Sequence, residues 1–354
     1  MSFVLEDGEN ILPDSSDNEE ELEITVSVPI KKNLVDAFND AECNQENGTN
    51  INKDNDSATM ITAQENKEVI QQSSSQKETM KVYLRVRPGS DVNQEDTVKE
   101  ITSTTLVTRA PESSNRAKYT KTEERHYQFS RVFGPKSNQD EVFNNMVSPM
   151  MMRFLNGDSC VLFAYGMTNS GKTHTIQGTK DDPGVLPNLI TTVMKNMENT
   201  EGWNLSISML EVYQERVHDL LTRSKTHLPL RDINGRVDIP KLTSHEVSDT
   251  NAFKLMSKAA KNRTNSSTFL NKGSSRSHAI YTLTLNQIID GREVSSIFQV
   301  VDLAGSERNS RTRATSAQQK EANNINTSLM QLWRCLSGMR RKNTDIIPFR
   351  ESKL

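Results

Sequence analysis

The sequence predicts an α/β fold in which helices cover both faces of a mostly parallel central sheet. Three observations support this prediction. From residue 81 onward, segments with a strand pattern alternate with segments with a helix pattern. The run of residues 160–165 is continuously apolar, as expected for a strand that is buried on both faces. The first 80 residues differ in composition and form an extension in front of the folded region.

The extension, residues 1–79, is predicted to be acidic and disordered. Residues 1–80 contain 18 Asp and Glu but 5 Lys and Arg, which leaves 28 acidic and 38 basic residues for the rest of the chain. Asn, Ser and acidic residues dominate there, so the segment has too little apolar surface to form its own core. Within it, the apolar residues 24–30, ITVSVPI, are a candidate for a short docking segment.

Cysteine content, hydropathy and charge exclude several classes of protein. Cys43, Cys160 and Cys335 are too few and too widely spaced for a disulfide framework or a four-ligand zinc site, which favours an intracellular protein. The sequence lacks an apolar run of about 18 residues and a signal-peptide pattern, so neither membrane spanning nor secretion is expected. The basic body suggests an acidic partner, but no nucleic-acid-binding module is recognisable.

Each element of the body is predicted from its own pattern. Alternating or continuous apolar residues predict strands at 81–88, which Pro88 and Gly89 stop, and at 105–110, 126–133, 159–166, 277–289 and 294–303. Residues 204–221 are predicted as a strand that runs into a short helix. Helical patterns occupy residues 138–157, 188–197, 251–264 and 318–339.

Residues 166–173, GMTNSGKT, match the phosphate-binding pattern G-x-x-x-x-G-K-[ST] between a predicted strand and a predicted helix. The two glycines allow consecutive backbone N–H groups to point at an anion, and the following helix adds its positive end. Lys172 would reach the outer phosphates of a nucleotide, and Thr173 would bind Mg²⁺. The predicted nucleotide-binding loop therefore consists of Gly166, Met167, Thr168, Asn169, Ser170, Gly171, Lys172 and Thr173.

Two later loops fit the same chemistry. Residues 271–278, NKGSSRSH, are small and polar and precede a strand, whereas residues 300–307, VVDLAGSE, end a strand with Asp302 and continue in a turn of small residues. Taken singly, the first could be an ordinary serine-rich loop and the second a helix cap. Phosphoryl transfer requires a phosphate cradle, oxygen ligands around Mg²⁺ and a loop that senses the γ-phosphate, and the three stretches supply these parts in order.

Taken together, these motifs resemble those of the kinesin motor domain family. The motifs RVRP, GMTNSGKTHT, NKGSSRSH, DLAGSE, NINTSL and IPFRESKL occur in the family's order and span about residues 81–354. The resemblance implies a P-loop NTPase fold, a three-layer sandwich, which binds ATP and Mg²⁺. It also implies that the protein binds microtubules in the cytoplasm and converts its nucleotide state into movement or regulated attachment.

The resemblance assigns roles to residues on the nucleotide. Arg85, Pro88, Tyr165 and His174 would lie against the adenine. Ser274 would contact the nucleotide in the first of the two later loops.

The resemblance also assigns the catalytic roles. Ser275 would join Thr173 at Mg²⁺, and Asp302 would act on the metal through water. The backbone N–H of Gly305 would meet the γ-phosphate. Arg276 and Glu307 would pair when the two loops close, and Ser275 and Glu307 would position the attacking water and relay its proton.

A basic face for the acidic microtubule surface is implied in the same way. Its residues follow Glu307 or lie near residue 354, and they are Arg308, Arg311, Arg313, Lys320, Arg340, Arg341, Lys342, Arg350 and Lys353.

The sequence departs from the family pattern at its end and in detail. The family continues beyond PFRESKL with a helix, a strand and a further helix, and that strand lies between the RVRP strand and the strand before the P-loop. We therefore expect a truncated or incomplete chain with unpaired backbone at this position, poor stability and no stalk for dimerisation. Asn169 and the stretch INTSL resemble the mitotic kinesin-like proteins of the central spindle.

Two other interpretations remain open. One is a different P-loop enzyme, because residues 179–182, TKDD, resemble a guanine-reading T-K-x-D motif, although they lie directly after the P-loop. The other is a microtubule-binding module without ATPase activity. ATP turnover with and without microtubules distinguishes these interpretations.

Overall fold

A computed structural model describes residues 22–30, 80–88, 98–109, 124–198, 200, 202–222, 224, 226–233, 236–248, 251–265, 275–307, 316–340 and 347–354. The strands are β1 (Leu22–Ile30), β2 (Lys81–Val86), β3 (Val98–Ile101), β4 (Thr105–Arg109), β5 (Glu124–Gln128), β6 (Arg131–Phe133), β7 (Ser159–Gly166), β8 (Asn204–Tyr213), β9 (Arg216–Asp219), β10 (Arg231–Ile233), β11 (Arg236–Asp238), β12 (Ser244–Glu246), β13 (His278–Ile289) and β14 (Arg292–Asp302). The helices are α1 (Gln139–Val142), α2 (Ser148–Leu155), α3 (Lys172–Ile176), α4 (Val185–Met197), α5 (Ala252–Asn265) and α6 (Ser316–Arg340), with a π-helical turn at Phe143–Val147 and a 3₁₀ turn at Phe349–Glu351.

The central sheet has the strand order β12-β8-β13-β14-β7-β1-β2-β6, and β9 pairs with β8. It is a mixed sheet, so the expectation of a mostly parallel sheet is wrong. Among the described strands, β7 with β14 and β2 with β6 are the parallel pairs, and the other pairs of this sheet are antiparallel. Two of the antiparallel pairs are tight hairpins. Their strands must be antiparallel, because a two-residue turn can join only antiparallel strands.

One of these hairpins corrects the prediction for residues 204–221. Instead of a strand and a helix, β8 and β9 form a hairpin whose turn residues, Gln214 and Glu215, have φ angles of 49° and 59°. The other hairpin joins β13 and β14 through Asp290 and Gly291, with φ angles of 51° and 74°. Positive φ at both central residues matches the twist of the flanking strands.

Strand β1 lies inside the sheet and pairs antiparallel with β2 and with β7. It belongs to the same compact unit as residues 81–354. The structure therefore replaces the predicted disorder of residues 22–30 with a strand, at the position where an unpaired gap was expected. The rest of the predicted extension lies outside the described residues.

Two apolar clusters hold the layers together. On one face, α1, the π-helical turn, α2 and α4 pack on the sheet, and Phe154 meets Phe298 edge to face with ring centroids 5.7 Å apart. On the other face, Leu329 of α6 packs with Leu84 and Phe163. Strands β7 and β14 are covered on both faces, which fixes the positions of their carboxyl ends.

The predicted helices are present with shifted bounds. The pattern at 138–157 corresponds to α1, the π-helical turn and α2, and the pattern at 188–197 begins earlier, at Val185. The predicted strand 126–133 is divided between β5 and β6. In the described part of the chain, no helix has the length and hydropathy needed to cross a membrane.

Candidate functional site

The predicted site residues meet at the carboxyl ends of two neighbouring parallel strands. The register places Asp302, the last residue of β14, opposite Ala164 of β7, two residues before the P-loop begins. Residue Glu23 of β1 lies opposite both Gly166 and Arg85. The sheet thus brings the RVRP strand, the P-loop and the loop after β14 to one edge, where open α/β sheets bind ligands.

The P-loop is a tight turn whose lysine folds back over it. Gly171 has a φ of 113° and Asn169 a φ of 67°, both in the left-handed region. The Lys172 Nζ donates hydrogen bonds to the carbonyl oxygens of Gly166 at 2.7 Å and Met167 at 2.6 Å. The side chain is buried, so its ammonium group lies within the loop and close to where phosphates would bind.

Asp302 connects the P-loop to α5. Its Oδ2 accepts hydrogen bonds from Thr173 Oγ1 at 2.8 Å and from Arg263 Nη1 at 2.6 Å. The side chains of Arg263 and Asp302 are only 3% and 1% exposed. Burial opposes the charge on Arg263, but the attraction of Asp302, aided by Tyr281, outweighs it and raises the arginine pKa above its usual range. Arg263 therefore keeps its charge although it is buried.

Sequence reasoning missed Arg263, because nothing in its spacing distinguishes it from other basic residues of a helix. Its second guanidinium nitrogen, Nη2, donates to the carbonyl oxygen of Ser277 at 2.9 Å. One buried side chain therefore ties α5 to the end of β14 and to the start of β13.

The loop after β14 folds onto the P-loop. Gly305 N donates to the Ser275 carbonyl at 2.9 Å, and Ser306 N donates to the Gly166 carbonyl at 3.1 Å. The Glu307 carboxylate accepts hydrogen bonds from Thr168 N, at 2.8 Å, and from Thr168 Oγ1. Within the described part of the chain, Glu307 thus bonds Thr168, which differs from the pairing with Arg276 that the resemblance implies for a closed site.

Gly305 lies close to the ends of two side chains, those of Thr168 and Glu307. A Cβ atom at this position would collide with Thr168 Oγ1 and with the Glu307 carboxylate. A larger residue here would therefore displace the side chains of Thr168 and Glu307 from their present contact.

His278 joins the same loop to α6. Its Nδ1 accepts a hydrogen bond from Ala304 N at 3.1 Å, and its Nε2 lies 3.0 Å from Ser328 Oγ, which donates to the Ile325 carbonyl at 2.8 Å. Since Nδ1 is an acceptor, the proton of the neutral ring is on Nε2 and is donated to Ser328. Burial, and then the charges of Arg263 and Lys172, lower the pKa of His278 to about 3.

The predicted adenine contacts form a second network. Arg85 Nη1 donates to Gln139 Oε1 at 2.9 Å and to Thr175 Oγ1 at 2.8 Å. Gln139 Nε2 donates to the His174 carbonyl at 2.9 Å. The structure therefore brings Arg85 and His174 together through Gln139, a residue that sequence reasoning missed.

The side chains around this network are more exposed to solvent than the buried pair of Arg263 and Asp302. His174 Nε2 lies 3.5 Å from Asp182 Oδ2. Pro88 is exposed, and Tyr165 is partly buried in the apolar cluster on the α6 face. Arg87, whose role the motif RVRP did not reveal, donates from Nη1 to the Asn169 carbonyl, so the residue directly after β2 contacts the P-loop.

The predicted microtubule contacts are only partly within the described residues. Arg350 Nη2 contacts Asp232 Oδ2 at 2.6 Å, and Lys353 N donates to Glu215 Oε2 at 2.7 Å. Lys320 and Arg340 lie in α6. Outside the described residues lie Ser274, Arg308, Arg311, Arg313, Arg341 and Lys342.

The oxygen atoms at Asp302 fit a magnesium ion. Asp302 Oδ1 is buried and, among the described residues, has no hydrogen-bond partner. Thr173 supplies a hydroxyl beside the same carboxylate. Carboxylate and hydroxyl oxygens are the hard ligands that Mg²⁺ requires.

Comparisons with known proteins agree with this geometry. The model of the kinesin motor domain family matches residues 85–354. Kinesin-like protein KIF22 of Rattus norvegicus is 36% identical over 287 residues, which cover 78% of this chain and 42% of the rat protein. Kinesin-like protein KIN-14G of Arabidopsis thaliana is 34% identical over 294 residues, which cover 78% of this chain and 29% of the plant protein.

A solved structure supports the same assignment. The structure of a fast kinesin matches with a TM-score of 0.67 at 28% identity, covering 76% of this chain and 77% of that chain. The chain spans less than half the length of the two relatives named above, and its likeness to the central-spindle subfamily remains a prediction. With its P-loop fold and its motifs in place, the chain belongs to the kinesin motor domain family.

Proposed function

We propose that the chain is an ATP-hydrolysing microtubule motor. The observation that carries this proposal is that Lys172, Thr173, Asp302 and Gly305 come together at the carboxyl ends of β7 and β14, where Thr173 Oγ1 donates a hydrogen bond of 2.8 Å to Asp302. Lys172 is held by carbonyl oxygens of the P-loop at 2.6 and 2.7 Å, and Gly305 N by the Ser275 carbonyl at 2.9 Å. These residue types supply the cation, oxygen ligands and backbone donor that phosphoryl transfer requires. We also propose a role in spindle organisation, on the basis of Asn169 and the stretch INTSL.

Nucleotide binding would begin at the lysine. In the structure, the Lys172 ammonium donates to two neutral carbonyl oxygens. Phosphate oxygens carry full charge and are stronger acceptors, so Lys172 would exchange the carbonyls for the outer phosphates. Thr173 and Ser275, with Asp302 through water, would hold Mg²⁺, which neutralises charge on the phosphates when bound.

Hydrolysis would follow a rearrangement of the loop after β14. The Gly305 N–H would leave the Ser275 carbonyl for the γ-phosphate, and Glu307 would leave Thr168 to pair with Arg276. Ser275 and Glu307 would then hold a water in line with the γ-phosphorus and accept its proton as the bond to ADP breaks. The Glu307 carboxylate would thus stabilise both arrangements of the loop, through Thr168 before the rearrangement and through Arg276 after it.

Coupling to the microtubule would run through α6. The His278 side chain bonds Ala304 in the catalytic loop and Ser328 in α6. A movement of this loop is therefore transmitted to the helix that follows the basic residues after Glu307. Those residues would meet the acidic microtubule surface and steer association.

Steady-state turnover of the full chain tests the proposal, with ATP or GTP and with or without microtubules. ATP turnover that rises with microtubules supports a motor, microtubule binding without turnover supports a non-enzymatic module, and hydrolysis of GTP alone contradicts both. Lys172→Ala should abolish turnover. Lys180→Ala is the matched control, because this lysine is exposed in the TKDD stretch. If Lys180→Ala reduced the turnover of GTP and left that of ATP unchanged, the guanine-reading interpretation would gain support.

A further inference from the structure

A buried amide side chain connects three elements on the side of the site that is assigned to the base. Gln139, at the start of α1, is 3% exposed. Its Oε1 accepts a hydrogen bond from Arg85 of β2 at 2.9 Å, and its Nε2 donates to the carbonyl oxygen of His174 in α3 at 2.9 Å. Gln139 therefore bonds β2 and the helix after the P-loop at the same time.

The local structure of α1 keeps this side chain in place. Asn138 caps the helix, because its Oδ1 accepts a hydrogen bond from Glu141 N at 2.8 Å. Val142 and Phe143 are buried in the apolar cluster that covers one face of the sheet. A rotation of this turn would break the cap or the core packing, so Gln139 stays directed at its partners.

The hydrogen bonds determine the orientation of the amide and the tautomer of the imidazole. A guanidinium group can only donate, so the amide atom that bonds Arg85 must be the oxygen. The amide nitrogen then lies 3.2 Å from His174 Nδ1 and donates to it, which leaves Nδ1 without a proton. The neutral ring therefore carries its proton on Nε2, which lies 3.5 Å from Asp182 Oδ2.

Arg85 is also held through the edge of its planar group. Its Nη1 donates to Thr175 Oγ1 at 2.8 Å, and its Nη2 donates to the Ser137 carbonyl at 3.3 Å. Because the N–H groups of a guanidinium lie in its plane, these bonds fix the plane and leave its flat face for another planar group. His174 is likewise bound through a ring nitrogen and is 48% exposed. Neither side chain would have to become ordered when a flat base binds.

We propose that Gln139 is a positioning residue of the nucleotide site, which orients Arg85 and His174 for contact with a purine base and keeps the His174 proton on Nε2. The proposal rests on the proposed function. The hydrogen bonds of Gln139 are to the two residues on the base side, whereas Lys172 and Thr173 bond other groups. Gln139 should therefore affect the binding of the base and leave that of the phosphates unchanged.

The first experiment measures the tautomer of His174 in the full chain without nucleotide. Nitrogen-15 NMR of histidine-labelled protein at about pH 8, where imidazole is neutral, shows which ring nitrogen carries the proton. His174→Gln assigns the signal, because it removes one of six histidines. Gln139→Glu replaces the amide donor by an acceptor and should move the proton from Nε2 to Nδ1. A proton on Nδ1 in the unmodified chain, or the same tautomer in both proteins, overturns the proposal.

The second experiment measures ATP turnover. Gln139→Met keeps the length of the side chain and removes its hydrogen bonds. KM for ATP should rise about tenfold while kcat stays within about twofold, because contacts to the base are equally strong in the ground state and the transition state. Inhibition by inorganic tripolyphosphate, which has no base, should not change. A lower kcat with unchanged KM, or equal losses for ATP and tripolyphosphate, contradicts a role in base binding.

Two further variants control for packing. Gln139→Glu keeps the shape of the side chain and the acceptor for Arg85, and it should also raise KM for ATP, even if Gln139→Met does not fold. Gln287→Met is the matched control. Gln287 is 2% exposed, and its side-chain nitrogen and oxygen have no hydrogen-bond partner among the described residues. Its replacement should leave KM unchanged, and a rise equal to that in Gln139→Met would refute the specific role of Gln139.

The two experiments separate this proposal from the proposed function. If the tautomer responds as expected but the unmodified chain does not hydrolyse ATP, the orientation of His174 by Gln139 stands and the proposed function fails. If the unmodified chain hydrolyses ATP and both Gln139 variants have the same KM as the unmodified chain, the proposed function stands and the role of Gln139 is refuted.

Discussion

At the scale of single residues, the buried pair of Arg263 and Asp302 is the most consequential contact of the site. Thr173 shares the same carboxylate oxygen, so the pair orients an oxygen ligand of the proposed magnesium site. A buried ion pair adds little stability compared with an apolar pair, but removing one partner leaves an uncompensated charge.

Arg263→Met should therefore destabilise the protein by about 3–5 kcal/mol. Urea unfolding measures the change, with Lys258→Met as the control because Lys258 is exposed on the same helix. The double variant Arg263→Met/Asp302→Asn should regain part of the loss, since it removes the unpaired charge. Equal stability of Arg263→Met and Lys258→Met would refute the role assigned to the pair.

The lowered pKa of His278 predicts that the free energy of unfolding depends on pH. Its pKa is about 3 in the folded protein and about 6.5 in the unfolded chain. Below pH 6.5 the unfolded state gains a proton that the folded state does not bind, so stability falls as pH falls. From pH 7.5 to pH 5 the loss attributable to His278 should be roughly 2 kcal/mol.

The comparison with His278→Gln isolates this contribution, because glutamine does not titrate. Urea unfolding of both proteins at pH 5, 6 and 7.5 should give curves that diverge toward high pH, with the unmodified chain gaining more stability. Parallel pH profiles would show that His278 is not buried in its neutral form.

Gly305 offers a test of the catalytic loop. Gly305→Ala places a methyl group where Thr168 Oγ1 and the Glu307 carboxylate meet, so these side chains must shift and the backbone N–H of residue 305 should move with the loop. ATP turnover should fall by about 100-fold or more, as when a preorganised backbone donor is lost. Gly134→Ala is the matched control because its Cβ would meet open space, and comparable losses in both variants would contradict the assignment.

At the scale of elements, local patterns predict those segments whose structure depends on local sequence. The apolar run of β7 and the helical pattern of α6 are recognisable without any partner. The hairpin of β8 and β9 is not, because Gln214 and Glu215 occupy a turn that usually contains Asn or Gly. Strand β1 cannot be recognised from the sequence for a different reason. The strands that pair with it are distant in sequence, and the acidic residues around it suggest disorder.

The same distinction applies to the candidate site. Contiguous motifs predict the P-loop and the two later loops, since the chemistry requires those residue types at fixed spacing. Arg263, Gln139 and Arg87 hold these loops in place from other elements. No spacing rule marks them, because only the fold brings them to the site.

The link between the catalytic loop and α6 can be tested at this scale. Ser328→Ala removes the acceptor of the His278 Nε2–H proton while leaving the P-loop unchanged. Basal ATP turnover should stay within about twofold, whereas stimulation by microtubules should fall about tenfold, which corresponds to a coupling of about 1.4 kcal/mol. Ser337→Ala, elsewhere in α6, is the control. Unchanged stimulation in Ser328→Ala would exclude this route of coupling.

At the scale of the whole molecule, the charge is divided between the two parts of the chain. Acidic residues dominate residues 1–80 and basic residues the remainder. Because β1 lies within the sheet, the acidic residues 14–21 directly precede a strand whose first residues reach the nucleotide edge. An acidic segment anchored on a basic body should weaken long-range attraction to the acidic microtubule surface that we propose as the partner.

Replacing Asp14, Asp17, Glu19, Glu20 and Glu21 by Asn or Gln should therefore strengthen microtubule binding and leave β1 intact. Co-sedimentation at about 25 mM salt should show a gain in affinity of severalfold, and the gain should disappear near 200 mM, where exposed charges are screened beyond about 7 Å. A variant with Ser15, Ser16 and Asn18 changed to Ala controls for altered sequence without altered charge. An affinity gain that persists at high salt would point to a direct contact of this segment, and no gain at low salt would show that the acidic residues do not oppose binding.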